Sequence, residues 1–141
     1  MTKIIPRISV NKGVDAIETY KDVFDAKLLA RQQITPSYGR ELGLPGEYDY
    51  TNSTMFAEVE ILGEKVQIQD DIKGRPKNQD DRIDVVLDVE SPNQIKSIYE
   101  KAKAQGFKIE HELEHTYWDG LNAQFVDPFG IRWELKFEKN K

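Results

Sequence analysis

The sequence predicts an α+β fold made of two tandem βαβββ units that pair to cover their sheets. Three observations lead there. Short segments of alternating apolar and polar residues recur along the chain, interrupted by two stretches of helical periodicity, in the order strand, helix, about three strands, then the same again. The chain also matches itself. Advancing 79 places lays Ile8 on Leu87, Val10 on Val89 and Tyr20 on Tyr99, whereas advancing 67 lays Val59 on Val126, Gly63 on Gly130, Val66 on Trp133 and Ile68 on Leu135. Finally, 141 residues with 38% hydrophobic content suit a single domain over 1–141, its halves spanning about 4–70 and 83–138.

Each element has its own signal. Residues 4–10 read as a strand with Ile4, Ile8 and Val10 on one face and Ile5, Arg7 and Ser9 on the other. Val14, Ile17, Tyr20, Val23 and Phe24 then recur at helical spacing, opened by Asn11 or Gly13, with Asp15 in the first turn. A second strand over 28–33 is followed by a long polar connection from Pro36 to Ser53, rich in Gly and Tyr; connections this long are frequently lids or binding loops. Residues 54–61 and 65–69 alternate on either side of Gly63 as a hairpin. The charged segment 71–82 has no apolar period and reads as a linker. Residues 83–89 form a strand, and Ser91-Pro92-Asn93-Gln94 is a capping box opening a helix with Ile95, Ile98, Tyr99 and Ala102 as its stripe and Gly106 past its end. Strands at 107–113, 121–126 and 131–137 complete the second unit.

Composition excludes several functions. Without cysteine there are no disulfides, iron–sulfur clusters or thiolate zinc sites. A net charge of −5 removes the basis for non-specific nucleic-acid binding. No apolar run approaches the roughly 20 residues of a membrane span, and the start, Met1-Thr2-Lys3-Ile4-Ile5-Pro6, lacks a signal peptide's apolar region. The expectation is a cytoplasmic protein with no nucleic-acid or membrane partner.

Three stretches carry a family resemblance. Asp15-Ala16-Ile17-Glu18-Thr19-Tyr20-Lys21-Asp22-Val23-Phe24-Asp25-Ala26 resembles a helix ending in FYxxVFGA, departing at Thr19 and Asp25. Met55–Ile61 with Gln69-Asp70-Asp71 resembles the central hairpin, and Tyr117-Trp118-Asp119-Gly120 followed by Asp127-Pro128-Phe129-Gly130-Ile131-Arg132-Trp133-Glu134-Leu135 the ending, of the vicinal oxygen chelate superfamily in its PhnB-like branch. That superfamily includes glyoxalase I, bleomycin- and fosfomycin-resistance proteins and extradiol dioxygenases, and the resemblance implies that the strands form a cupped mixed sheet with the helices on its outer face.

The resemblance implies a ligand quartet in metal-using members, mapping here to Ile5 (Pro6 with one gap), Gln67, Asp84 and Glu134. Ile or Pro cannot bind a metal, so no metal cofactor is expected beyond a weak divalent cation at Gln67, Asp84 and Glu134. His111-Glu112-Leu113-Glu114-His115 matches a zinc-protease motif, but that chemistry needs a helix and these residues alternate as a strand. Parity places Arg7, Ser9, Gln67, Gln69, Asp84, Val86, Asp88, Arg132 and Glu134 inside the cup. There Arg7 and Gln67, with Trp118 at the mouth, would bind a small molecule, Arg7 orienting an anionic or carbonyl oxygen, while Asp84 or Glu134 acts as base if chemistry occurs. Alternatively, Arg7 or Arg132 pairs with Asp84 and Glu134 in a structural network. The expected function is metal-free small-molecule binding in a homodimer; the alternative is a metal-dependent lyase, isomerase or transferase of the glyoxalase–fosfomycin-resistance type.

Overall fold

A computed structural model describes residues 3–73 and 83–139. The first half contains β1 (Arg7–Val10), α1 (Gly13–Phe24), β2 (Lys27–Gln32), α2 (Pro36–Glu41), β3 (Phe56–Ile61) and β4 (Glu64–Asp70). The second contains β5 (Val85–Asp88), α3 (Pro92–Ala104), β6 (Lys108–His115), β7 (Gly120–Val126) and β8 (Arg132–Glu138). Each half folds its strands into one four-stranded mixed sheet, in the orders β1-β4-β3-β2 and β5-β8-β7-β6. This is the tandem βαβββ arrangement, with α2 as an addition.

The ladders explain the self-similarity. Ile8 pairs with Ile68 in parallel, and Leu87 pairs with Leu135. These are the residues that the two offsets equate. In the antiparallel ladders Ala57 faces Ile68 and Ala123 faces Leu135, so β7 lies 66 places after β3 (123 − 57). Val59 therefore corresponds to Phe125 rather than Val126. The cause is the turn: Leu62-Gly63 joins β3 to β4, whereas Pro128-Phe129-Gly130, closed by the hydrogen bond from Asp127 N to Ile131 O, has one residue more.

Several element ends differ from expectation. Ile4 and Ile83 are 97% and 81% exposed, and β1 and β5 begin only at Arg7 and Val85. Pro6 has no N–H to give a ladder, though its carbonyl accepts from Gln67 N. The N-cap of α1 is Lys12, whose side chain makes no cap. Asp70 at the end of β4 does the work instead, its Oδ1 accepting from Gly13 N at 2.8 Å. A Cβ on Gly13 would lie 2.8 Å from that oxygen and 2.9 Å from Thr54, so glycine is what permits the approach. At the other end Asp25 takes the left-handed conformation, φ 55°, at the position where the superfamily's helix has glycine.

The connection 36–53 is not wholly irregular, because Thr35 Oγ1 accepts from Tyr38 N and opens α2. In α3 Ser91 Oγ accepts from Gln94 N as a capping box requires, but Gln94 Oε1 accepts from Glu90 N rather than from the N-cap residue. The linker reading falls mostly on residues 74–82, outside the described residues.

The chain divides into two compact units: residues 3–21 with 25–73, and 22–24 with 83–139, among those described. Alternation puts Ile8, Val10, Ala57, Val59, Val66 and Ile68 in the first core. In the second, Leu87, Phe125, Trp133 and Leu135 are buried beside the Ile95, Ile98, Tyr99 and Ala102 stripe of α3. Phe24 belongs to this unit, with its ring centroid 4.5 Å from Trp133 and 6.3 Å from Phe107. Each such buried aromatic contributes roughly 1.5–3 kcal/mol.

Asp127 fastens the turn before β8. Its Oδ1 accepts from Phe129 N and Ile131 N, each at 2.9 Å, and its Oδ2 accepts from the buried indole Nε1 of Trp133 at 2.9 Å. The DPFG motif is thus structural: a buried carboxylate satisfied by three donors.

Candidate functional site

The strand period that buries one face of each sheet leaves a polar row on the other. In the first half Arg7 Nε donates to Gln67 Oε1 at 3.1 Å, across the parallel pairing of β1 and β4. One step along, Gln69 Nε2 donates to Ser9 Oγ at 2.8 Å. Ser9 and Gln69 line a cavity of about 280 Å³ with Ile34, Met55 and, from α2 and its end, Tyr38 and Leu42. The segment expected to form a lid therefore walls a cavity of its own half. Gly39 fits there because the Tyr50 ring packs where its Cβ would stand.

In the second half the polar row of β8 holds Arg132, Glu134, Lys136 and Glu138. Gln124, opposite Glu134 on β7, donates from Nε2 to Glu134 Oε1 at 2.7 Å. Glu134 and Gln124 line a cavity of about 390 Å³ with Glu114, His115, Tyr117 and Trp118. The aromatic pair comes from the β6–β7 turn. Thr116 N donates to Gly120 O, and Thr116 Oγ1 accepts from Gly120 N, both at 3.0 Å, while Lys139 N donates to Asp119 O. Gly120 lets this turn close onto β8, since a Cβ there would strike the Phe137 carbonyl. Tyr117 and Trp118 meet edge to face, centroids 4.6 Å apart, and are 96% and 47% exposed.

Asp84 stands apart from that cavity. It accepts from Arg132 Nε at 3.1 Å, and the same guanidinium pairs with Glu110. Part of the ion-pair network weighed from the sequence is thus present, with Glu110 as a member that parity did not suggest. Trp118 and Glu134 are brought together in one cavity, Arg7 and Gln67 in one hydrogen bond, and Asp84 is engaged with Arg132.

The donor set does not fit a transition metal. At the four positions Ile5 is a hydrocarbon, Gln67 is bonded to Arg7, Asp84 to Arg132, and Glu134 to Gln124. Among the described residues no group of three or more His, Asp or Glu is arranged to hold an ion. His111 and His115 lie on β6, opposite Gln124 and Leu121, so they lack the helical geometry of the zinc-protease motif. Among the described residues no helix is long and apolar enough to cross a membrane.

Asp70 is a half-buried carboxylate of the first half. Burial pushes the Asp70 carboxyl above its ordinary 3.8, opposed by its hydrogen bonds from Thr54 N and Gly13 N and by the charge of Arg31.

The fold has many relatives among solved structures. Protein PA1353 from Pseudomonas aeruginosa superposes with a TM-score of 0.74 at 19% identity, over 98% of each chain. The putative 3-demethylubiquinone-9 3-methyltransferase, PhnB protein, from Bacillus cereus gives 0.73 at 15% identity, over 96% of this chain and 99% of that one. The fosfomycin resistance protein FosX from Listeria monocytogenes gives 0.68 at 14%, over 99% and 95%. At these identities the likeness is one of fold. No curated protein matches the chain in sequence. The profile of the Glyoxalase/Bleomycin resistance protein/Dioxygenase superfamily matches residues 6–135, and with its duplicated βαβββ ladders the chain belongs to that superfamily.

Proposed function

We infer that the chain binds a small organic molecule in the cavity beside Glu134 and Trp118, without a complete metal site. The observation that carries this is the juxtaposition of an exposed Tyr117–Trp118 pair with the Glu134–Gln124 hydrogen bond around one cavity. Trp118 offers a flat apolar wall, and Glu134 and Gln124 offer an acceptor and an amide. Glu134 is the better-placed base if a reaction follows, since Asp84 is engaged by Arg132. Arg7 and Gln67 form the corresponding polar pair of the first half. A metal-assisted lyase, isomerase or transferase draws on fold likeness alone: FosX has been crystallised with Mn(II), but of the four positions the resemblance implies, Ile5 offers no donor, Gln67 only a neutral amide held by Arg7, and Asp84 a carboxylate held by Arg132.

Native mass spectrometry of the purified protein, with ligand retention compared for Glu134→Gln, tests the reading. Retention should fall about tenfold in the variant. The melting temperature should move little, because the amide preserves the shape of the Gln124 contact. A large loss of stability with retention unchanged would make Glu134 structural. In the same reading the two halves form one cooperative, cytoplasmic domain and the chain a homodimer. Supporting it, α1 contributes residues to both compact units, and the superfamily resemblance implies a dimer. Sedimentation should then give twice 16.3 kDa and calorimetry a single transition.

A further inference from the structure

We propose that the cavity beside Trp118 takes a flat organic cation, such as a heteroaromatic ring carrying a delocalised positive charge. This rests on the small-molecule reading above and adds the ligand's chemistry.

Charge comes first. The ionisable side chains lining the cavity are Glu114, His115, Tyr117 and Glu134; neither Lys nor Arg lines it. Nearby cations are engaged: Lys136, next on the same face of β8, holds Glu138 at 2.7 Å, and Arg132 holds Asp84 and Glu110. Lys136 also feels Glu134, but its closer partner is Glu138. An anionic ligand would therefore face two carboxylates, whereas a cation would meet Glu134 across the oxygen that Gln124 does not hold.

Shape and hydration narrow the class. Trp118 is 47% exposed, and its neighbour Tyr117 meets it at 88° rather than stacking on it. An indole face in this position attracts cations through its quadrupole, most effectively a planar one that also stacks. A delocalised cation is weakly hydrated and gives up little to enter, whereas a metal ion would need more oxygen ligands than the two carboxylates supply. The volume of about 390 Å³ accommodates one or two fused rings.

The test uses three probes of similar shape at pH 7 and low salt: 1-methylquinolinium, neutral quinoline and the anion 2-naphthoate. Binding is followed by NMR at the Trp118 indole and the Gln124 side-chain amide, with the buried Trp133 indole as the report on folding. The cation should bind about fivefold more tightly than quinoline, and naphthoate most weakly. Glu134→Gln should remove most of the preference without weakening quinoline. Glu114→Gln, on the exposed strand β6, should lower it partially and serves if the first variant unfolds. About 0.5 M salt should also compress the preference. Equal binding of quinoline and the cation, or tighter binding of naphthoate, overturns the charge assignment while leaving a binding cavity. If no probe shifts Trp118 or Gln124, the small-molecule reading falls with it.

Discussion

Compare the closing strands of the two halves, β4 and β8. Both bury alternate residues, Val66 and Ile68 in one and Trp133 and Leu135 in the other, and both pair in parallel with the first strand of their half at equivalent residues. Between those buried positions the chemistry diverges. Gln67 in β4 accepts from a cation, Arg7. Glu134 in β8 faces Val86 on that side and takes its hydrogen bond from Gln124 on the other. Packing density constrains the inward residues to apolar shapes, while every second position is free to change charge without disturbing the ladder. A duplicated sheet can thus keep its core and acquire two different polar faces.

The largest effect should come from how each half is fastened by a carboxylate. Asp127→Ala leaves the Trp133 indole and two backbone donors without their acceptor and should cost about 3 kcal/mol or more, read by chemical denaturation. Asp70→Ala removes two backbone bonds from a partly solvated carboxylate and should cost about half as much. Equal losses would break the contrast between them.

Next is a gain. Asp25→Gly places glycine in a left-handed position and should stabilise the protein by about 1 kcal/mol in the same assay.

Asp70 also contributes a pH dependence. Its folded pKa lies above the unfolded value of 3.8 because burial disfavours the charge. A carboxyl shifted upward binds its proton more tightly when folded. Its contribution to stability is therefore greatest below the ordinary carboxylate range and declines as pH rises through the folded value. Carbon-13 titration of the Asp70 carboxyl should show the raised midpoint, and Asp70→Asn should remove this component of the stability profile.

The smallest effect sharpens the comparison of polar faces. Gln67→Glu gives β4 the carboxylate that β8 has, and Arg7 should hold it as an exposed ion pair. The expected change is no more than about 0.5 kcal/mol, and it should shrink in salt.

The fold was legible because burial writes itself into strand and helix periods: the buried faces of β3, β4, β8 and α3 are those their alternation or stripe indicates. The single-residue slip between Val59 and Phe125 was hidden, since both alignments place an apolar residue opposite Val59. The helix α2 carried a signal, Thr35-Pro36, of the same kind as Ser91-Pro92; the glycines that follow made the segment read as a loop. Caps supplied from afar left no local trace, as with Asp70, which serves Gly13 from 57 residues away. At the candidate site Glu134 and Trp118 lie in the stretches that carry the family resemblance. Gln124 and Glu114 leave no such signal, because their place beside Glu134 depends on cross-strand neighbours, which a single strand's pattern does not record.

The bulges in β2 and β6 bear on how this protein behaves when crowded. Both strands lie at the edge of their sheet, and both slip register, at Leu28/Ala30 in one and at Ile109/His111 and His111/Glu114 in the other. The β2 segment exposes Leu28 and Leu29, the kind of apolar edge that templates stacking into fibrils, but the exposed Lys27 precedes them and the bulge twists the backbone away from a flat register. On β6 the run Glu110-His111-Glu112 does the same by charge. The irregularities that interrupt these ladders thus guard against open-ended growth of the sheet.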